Sequence, residues 1–345
     1  MFSPNYQEAR TRFRLATAKA GGELHTWEII PPSAGESEGL TIDASVFGSG
    51  SKAIAITSGL HGIEGFAGSA IQLDFLAREL PKDLRIILIH ALNPYGMAHG
   101  RRVNENNVDL NRNFLPERDA YRGSSDGYRR LNQLLNPERP TGGFEFMLTR
   151  TVWQIMRHGF NTLKTAVVGG QYDFPKGLFF GGRQLENGPR TLLERLPTLM
   201  EGVERSVLID LHTGLGKSGT HALLVDAEAG SADHLRLHEQ YGERIQPWDA
   251  DHGVAYKIRG GLPQAMVRVF GPTMDVITCE FGTHPALKVI QALRTENQQT
   301  HWGGDAAQAK AALAEAFCPA STRWRQAVLA GGATVIDRAI THLRA

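Results

Sequence analysis

Short runs of β-branched and apolar residues recur along the chain. They cover residues 52–59, 85–92, 206–211 and 275–279. Runs of this length are typical of parallel strands that are buried on both faces. A stripe of apolar residues with helical spacing, ended by Pro81, lies between the first two runs. The order strand, loop, helix, strand predicts that the loop after the first strand lies at the carboxyl edge of a parallel sheet.

The remaining apolar pattern predicts more helices and an early hairpin. Helical spacing recurs in five later stretches, at residues 144–163, 190–200, 284–296, 306–317 and 323–343. Residues 25–31 and 40–47 alternate as antiparallel edge strands do. We therefore expect an α/β fold with a mixed, mostly parallel, twisted sheet flanked by helices. We expect a single catalytic domain over residues 1–345, with the motif-bearing core in residues 50–300.

Composition and charge narrow the functional classes. The 37 Lys and Arg and 36 Asp and Glu residues leave a formal net charge of +1 without a basic cluster, so we expect no nucleic-acid partner. No apolar run reaches membrane-spanning length, and the start of the chain lacks a secretory signal. Two cysteines, Cys279 and Cys318, cannot form a disulfide framework. We expect a cytoplasmic protein with no membrane partner.

Candidate metal ligands occupy the loops and strand ends. His61 and Glu64 lie in HGIEG, directly after the first buried run, and a His-x-x-Glu turn can direct two ligands at one point. About one such spacing is expected by chance in a chain of this length, and His25 with Glu28 also matches it. His25 and Glu28 lie in an alternating pattern that predicts a half-exposed strand and not a glycine-flanked loop, so we favour His61 and Glu64 as the ligands. His212, at the end of the run SVLIDL, is the candidate third ligand of an open zinc site.

A run rich in amides and arginines, HGRRVNENNVDLNRNF, follows the second buried strand. Such composition is usual for a surface loop. Here Val108 and Leu110 alternate with Asp109 and Asn111, which predicts that the polar side chains point to one side together. An arginine beside an amide suits carboxylate recognition, because a guanidinium donates two parallel hydrogen bonds.

The four motifs HGIEG, VDLNRNF, DLHTG and CEFGT together resemble the zinc carboxypeptidase superfamily, which includes the succinylglutamate desuccinylase and aspartoacylase branch. The resemblance covers about residues 53–282. It implies one zinc ion, a general base, a pair of residues for the substrate carboxylate and a partner that orients the first histidine. By this resemblance, His61, Glu64 and His212 bind zinc, and Glu280 is the general base. Asn111 and Arg112 hold the substrate carboxylate, and Asp109 orients His61.

Two further assignments follow from the same resemblance. The arginine that polarises the scissile carbonyl falls at Arg102 or Arg101, and we prefer Arg102. Tyr256 is the candidate for the substrate-side tyrosine, and Arg259 is a weaker candidate near it. Neither position belongs to one of the four motifs, so the metal ligands and the base are better supported than these two.

The resemblance implies zinc-dependent hydrolysis of an amide bond adjacent to a carboxylate. We favour a carboxypeptidase acting on small peptides, and a deacylase acting on N-acyl amino acids is the alternative. A non-enzymatic binding protein would require the loss of a ligand or of the base, and none is missing. Cobalt, nickel or manganese could take the place of zinc by affinity alone. Serine hydrolase and phosphate-loop motifs are absent: GSGSK precedes a strand and GLGKS is too short.

Overall fold

The structure is a computed structural model that describes residues 1–34, 37–116, 121–139, 169–242, 244–247 and 258–345. Within these ranges eight strands form one sheet. The strands are β1 (Glu23–Ile30), β2 (Leu40–Phe47), β3 (Lys52–Ser58), β4 (Arg85–His90), β5 (Arg205–Gly214), β6 (His221–Val225), β7 (Ile245–Pro247) and β8 (Met274–Gly282).

The sheet is mixed, with a parallel centre. Its order is β1-β2-β4-β3-β5-β8-β6-β7, and β4, β3, β5 and β8 run parallel to one another. The pairs β1 with β2, β2 with β4, and β6 with β8 are antiparallel. From β3 the chain passes to β4, the neighbour on one side of β3 in the sheet. It later returns to form β5, the neighbour on the other side. This point of reversal leaves a crevice outside the carboxyl ends of β3 and β5, where open α/β sheets bind ligands.

Helices cover both faces of the sheet and its carboxyl edge. They are α1 (Tyr6–Lys19), α2 (Gly65–Leu76), α3 (Pro94–His99), α4 (Asp126–Leu135), α5 (Asn187–Leu199), α6 (Ala232–Tyr241), α7 (Leu262–Phe270), α8 (Ala286–Trp302), α9 (Ala306–Phe317) and α10 (Thr322–Arg344). No helix among the described residues is apolar over a length that could cross a bilayer.

The core is divided by the sheet. On one face, side chains of the strands pack with those of α1, α2, α6 and α10. On the other face they pack with those of α5 and α7. A third cluster joins α4, α8 and α9 to Ile63 and Phe179, beside the carboxyl ends of the strands. Most of the stabilising burial of apolar surface therefore lies in two layers against the sheet.

The predicted elements of the sheet are present, with different ends. The expected mixed, mostly parallel fold and the early hairpin are confirmed. β5 continues to Gly214 and β8 to Gly282, so His212 and Glu280 lie within strands and not after them. The helix predicted over residues 144–163 lies outside the described residues. The sequence pattern missed α1, because charged residues interrupt its apolar stripe.

Candidate metal centre

Three side chains from distant parts of the sequence meet at the crevice between β3 and β5. They are His61, Glu64 and His212, and one ligand atom from each lies within 4.8 Å of the others. His61 precedes the short 3₁₀ turn Gly62–Glu64 that begins α2, and His212 lies in β5. All three are buried, with at most 3% of the residue surface exposed.

The two imidazole rings face each other through their Nδ1 atoms, which are 3.1 Å apart. Glu64 Oε1 lies 2.9 Å from His61 Nδ1, and Glu64 Oε2 lies 3.1 Å from His212 Nδ1. Two imidazole nitrogens and two carboxylate oxygens in such proximity require a proton or a metal ion among them. Ligand atoms on one tetrahedral zinc ion lie about 3.3 Å apart, given bonds of about 2.0–2.1 Å. The cluster therefore has the donor set and the spacing that a zinc-like ion requires.

Each histidine is oriented by a carboxylate next to its Nε2 atom, which is the ring nitrogen that does not face the other candidate ligands. Asp109 Oδ1 lies 3.0 Å from His61 Nε2, and Asp210 Oδ2 lies 2.6 Å from His212 Nε2. Thr57 on β3 donates to Asp210 Oδ1 at 2.6 Å, which fixes that carboxylate in turn. With the protons on Nε2, the Nδ1 atoms are left as ligands, which is the usual arrangement around metal-bound histidines.

The loop carrying His61 and Glu64 is held by backbone hydrogen bonds. The Gly62 and Ile63 amides donate to the carbonyls of Arg102 and Arg101 at 3.0 and 2.9 Å. A Cβ on Gly62 would lie 2.2 Å from the backbone of Gly96, so only glycine allows α3 to pack this closely. These hydrogen bonds position the loop that carries His61 and Glu64, and they also place Arg101 and Arg102 next to this loop.

The two neighbouring arginines have different surroundings. Arg102 points into the cluster and donates to Glu64 Oε1 at 2.5 Å, and its Nη2 lies 2.8 Å from His61 Nε2. Arg101 points away and pairs with Glu296 of α8 at 2.7 Å. Arg102 is thus the arginine adjacent to the candidate ligands, and Arg101 ties the loop to α8.

Glu280 lies opposite His212 on the adjacent parallel strand. Its Oε1 accepts a hydrogen bond from the Leu215 amide at 2.9 Å. Burial and the negative charge of Glu64 raise the pKa of Glu280 from 4.5 to about 7. A carboxyl group with this pKa can take up and release a proton near neutral pH, as a general base must.

The charges of the cluster are strongly coupled. Burial alone would raise the pKa of Glu64, but His61 and Arg102 outweigh burial and hold it well below the usual range. Burial alone would lower the pKa of His212, but Asp210 and Glu64 outweigh burial and raise it. The metal-free cluster therefore holds a proton on His212, and a metal ion would have to displace it.

Sequence comparison places the chain in a family. Residues 2–331 match the family described as "Protein of unknown function (DUF2817)". The chain belongs to this family. A search of curated proteins finds no significant match.

The solved structures similar to this family member have TM-scores on either side of 0.5. Bovine thrombin-activatable fibrinolysis inhibitor, solved in complex with tick carboxypeptidase inhibitor, is 10% identical with a TM-score of 0.51, over 99% of this chain and 97% of that chain. Carboxypeptidase A from Helicoverpa armigera is 16% identical with a TM-score of 0.49, over 90% and 74% of the two chains. An aspartoacylase family protein from Mesorhizobium loti is 16% identical with a TM-score of 0.39, over 82% and 67%. The first of these likenesses confirms the resemblance to the zinc carboxypeptidase superfamily at the level of the fold alone.

The residues expected to bind substrate lie at unequal distances from the ligands. Arg112 Nη1 is 3.3 Å from Asp109 Oδ1, so it is one side chain removed from His61. Asn111 Oδ1 accepts from the Leu262 amide at 3.0 Å, which ties this side chain to the start of α7. Arg259 donates to the Arg122 carbonyl and lies over Tyr172, away from the ligands. Tyr256 lies outside the described residues.

Sequence reasoning missed two contributors to this site. Asp210 stands out as the acidic residue of an apolar strand, two residues before His212 and therefore on the same face. That signal was available, although it was given no role. Phe179 lies in the apolar run LFFGG and lacked any such signal. Only the three-dimensional structure places its ring against the arginines.

Proposed function

We propose that this protein is a zinc-dependent hydrolase of the carboxypeptidase type, which cleaves an amide bond adjacent to a carboxylate. The main support is the meeting of two imidazole Nδ1 atoms with Glu64, beside a buried Glu280 whose pKa is raised to about 7. His61, Glu64 and His212 would hold the ion. A bound zinc ion would polarise the substrate carbonyl and lower the pKa of water.

Glu280 acts as the general base in this proposal. It accepts the proton of the attacking water and later delivers it to the leaving amine. Burial and the charge of Glu64 raise its pKa in the metal-free protein, which makes it a stronger base than an exposed glutamate. The hydrogen bond from the Leu215 amide holds one oxygen and leaves the other for the proton.

Arg102 stabilises the negative charge that develops on the carbonyl oxygen. Its guanidinium already lies within hydrogen-bonding distance of Glu64 and His61, so it is next to the place where that charge forms. Asn111 and Arg112 hold the substrate carboxylate, and Asp109 supports both the arginine and His61. Tyr256 is proposed as a substrate-side residue from the sequence alone.

The first experiment measures metal content and hydrolysis together. Native protein and the Glu280→Gln variant are analysed for metal and assayed on blocked peptides with free carboxyl termini and on N-acyl amino acids. About one zinc ion per chain in both proteins, with hydrolysis only by the native protein, would support the proposal. Turnover of N-acyl amino acids but not peptides would identify a deacylase. Native protein that binds no metal after zinc is supplied would refute the hydrolase function.

A further inference from the structure

Phe179 lies against both arginines of the candidate site. The guanidinium carbon of Arg102 is 6.0 Å from the centre of its ring, and that of Arg112 is 5.4 Å away. Arg102 also lies 5.6 Å from the ring centre of Phe317. A guanidinium within about 6 Å of an aromatic ring is attracted by the negative charge of the ring face. One aromatic side chain is thus shared by the two cations that the proposed reaction uses.

The backbone of Phe179 is strained. Its φ is +58°, in the left-handed region that residues with a Cβ rarely adopt and that is an outlier for a bulky side chain. Neighbours hold the segment in place. The carbonyl of Phe179 accepts from the Gln171 amide at 3.0 Å, and the carbonyl of Leu178 accepts from the Tyr128 hydroxyl at 2.6 Å. Strain that the surroundings maintain in this way is typical of functional sites.

The same segment supports the carboxylate that both arginines share. The carbonyl of Phe180 accepts from the Asp109 amide at 2.7 Å. The Asp109 side chain in turn lies 3.3 Å from Arg102 Nε and 3.3 Å from Arg112 Nη1. The ring of Phe179 therefore contacts the two guanidinium groups. The main chain of the next residue, Phe180, holds Asp109, which is the acceptor that both groups share.

We propose that Phe179 is a positioning residue, which directs Arg102 and Arg112 toward the substrate and so contributes to the preference of the site for a carboxylate. Both guanidinium groups are drawn to Asp109, and the ring limits the orientations in which they can reach it. The left-handed backbone is retained because it places the ring against both cations. This inference rests on the proposed function, since it assumes that Arg112 receives the substrate carboxylate.

The test compares the binding of a carboxylate with that of its uncharged amide. Calorimetry measures the binding of N-acetyl amino acids and their carboxamides to zinc-loaded Glu280→Gln protein, which binds without turnover. Adding Phe179→Leu should lower the carboxylate-to-amide affinity ratio by about tenfold, because two cation–π contacts are lost. Phe179→Tyr, which keeps the ring, should retain the ratio. Phe179→Met replaces the leucine variant if that protein does not fold.

A matched control separates positioning from packing. Phe174 stacks on Tyr128 and packs, partly buried, against the same cluster, so Phe174→Leu removes an aromatic ring from this cluster. Its carboxylate-to-amide affinity ratio should equal that of the Glu280→Gln protein without a second substitution, which is the parent protein. An unchanged ratio in Phe179→Leu, or an equal fall in Phe174→Leu, would overturn the positioning role. A parent protein without carboxylate preference would overturn it as well, together with the role of Arg112. Failure of the proposed function differs, because the native protein would then neither bind zinc nor hydrolyse any substrate.

Discussion

Glu280 is a buried carboxyl group, and its replacement by glutamine should have two separable effects. Its pKa in the folded protein is about 7, against 4.5 in the unfolded chain, because of burial and the charge of Glu64. Below pH 4.5 the group is neutral in both states and has no effect. As the pH rises from 4.5 to about 7, the unfolded chain ionises first. The contribution of Glu280 to the free energy of unfolding therefore falls by about 3 kcal/mol across this window, at about 1.4 kcal/mol per pH unit.

Glutamine cannot ionise, so the variant escapes this loss. Metal-free Glu280→Gln should be nearly as stable as the native protein at pH 5 and more stable at pH 8, by about 1–3 kcal/mol. Urea unfolding of chelator-treated proteins at both pH values measures the difference. Hydrolysis by the metal-loaded variant should fall by about 10²–10⁴-fold, because the general base is lost. A gain in stability with a loss of activity is expected when a functional group is held in an unfavourable place.

Glu296 provides the matched control. It is also a buried glutamate, but it pairs with Arg101 at 2.7 Å and accepts from the Thr300 hydroxyl at 2.6 Å. Glu296→Gln should therefore lower stability at both pH values, because Arg101 loses its charged partner. If Glu280→Gln is less stable than the native protein at pH 8, the electrostatic reasoning is wrong. If it still hydrolyses substrate at the native rate, the base assignment is wrong.

Three further predictions follow from the buried charges. Asp210→Asn should weaken zinc affinity by about 10–100-fold in chelator competition, because the carboxylate no longer orients the histidine ligand. Zinc affinity of the native protein should rise with pH, by at most about tenfold per pH unit, since the ion displaces a proton from His212, whose pKa its neighbours raise. Burial lowers the pKa of His90 to about 4, so this histidine should by itself lower the stability by about 3 kcal/mol as the pH falls from 6.5 to 4, opposite in sign to the effect of Glu280. His90→Gln should not show that loss in urea unfolding.

The buried strands were predictable, although not where they end, and so were the candidate ligands near their ends. A parallel strand buried on both faces must be apolar throughout, so a polar residue near its end stands out in the sequence. His212 and Glu280 stand out for this reason. The structure places them opposite each other, because β5 and β8 are adjacent and in register. Adjacency in the sheet depends on topology, which the sequence pattern did not specify.

The sequence of the loops indicated less about the candidate site than the sequence of the strands did. Arg101 and Arg102 are identical in type and consecutive, so sequence alone could express only a preference between them. Their difference arises from partners about 195 and 38 positions away, Glu296 and Glu64 respectively. Such contacts exist only once α8 and the HGIEG loop have packed against the same segment. The single-domain expectation remains a prediction from the sequence.

The sequence by itself determined the residue types of the candidate centre and their order along the chain, because parallel strands and glycine-flanked loops have local patterns. The tertiary structure alone decided which groups surround them. Asp210 with Thr57 behind His212, and the ring of Phe179 against the two arginines, are contacts between segments far apart in the chain. The protonation and direction of a buried side chain depend on such neighbours, since charge and hydrogen bonding act through space and not along the sequence.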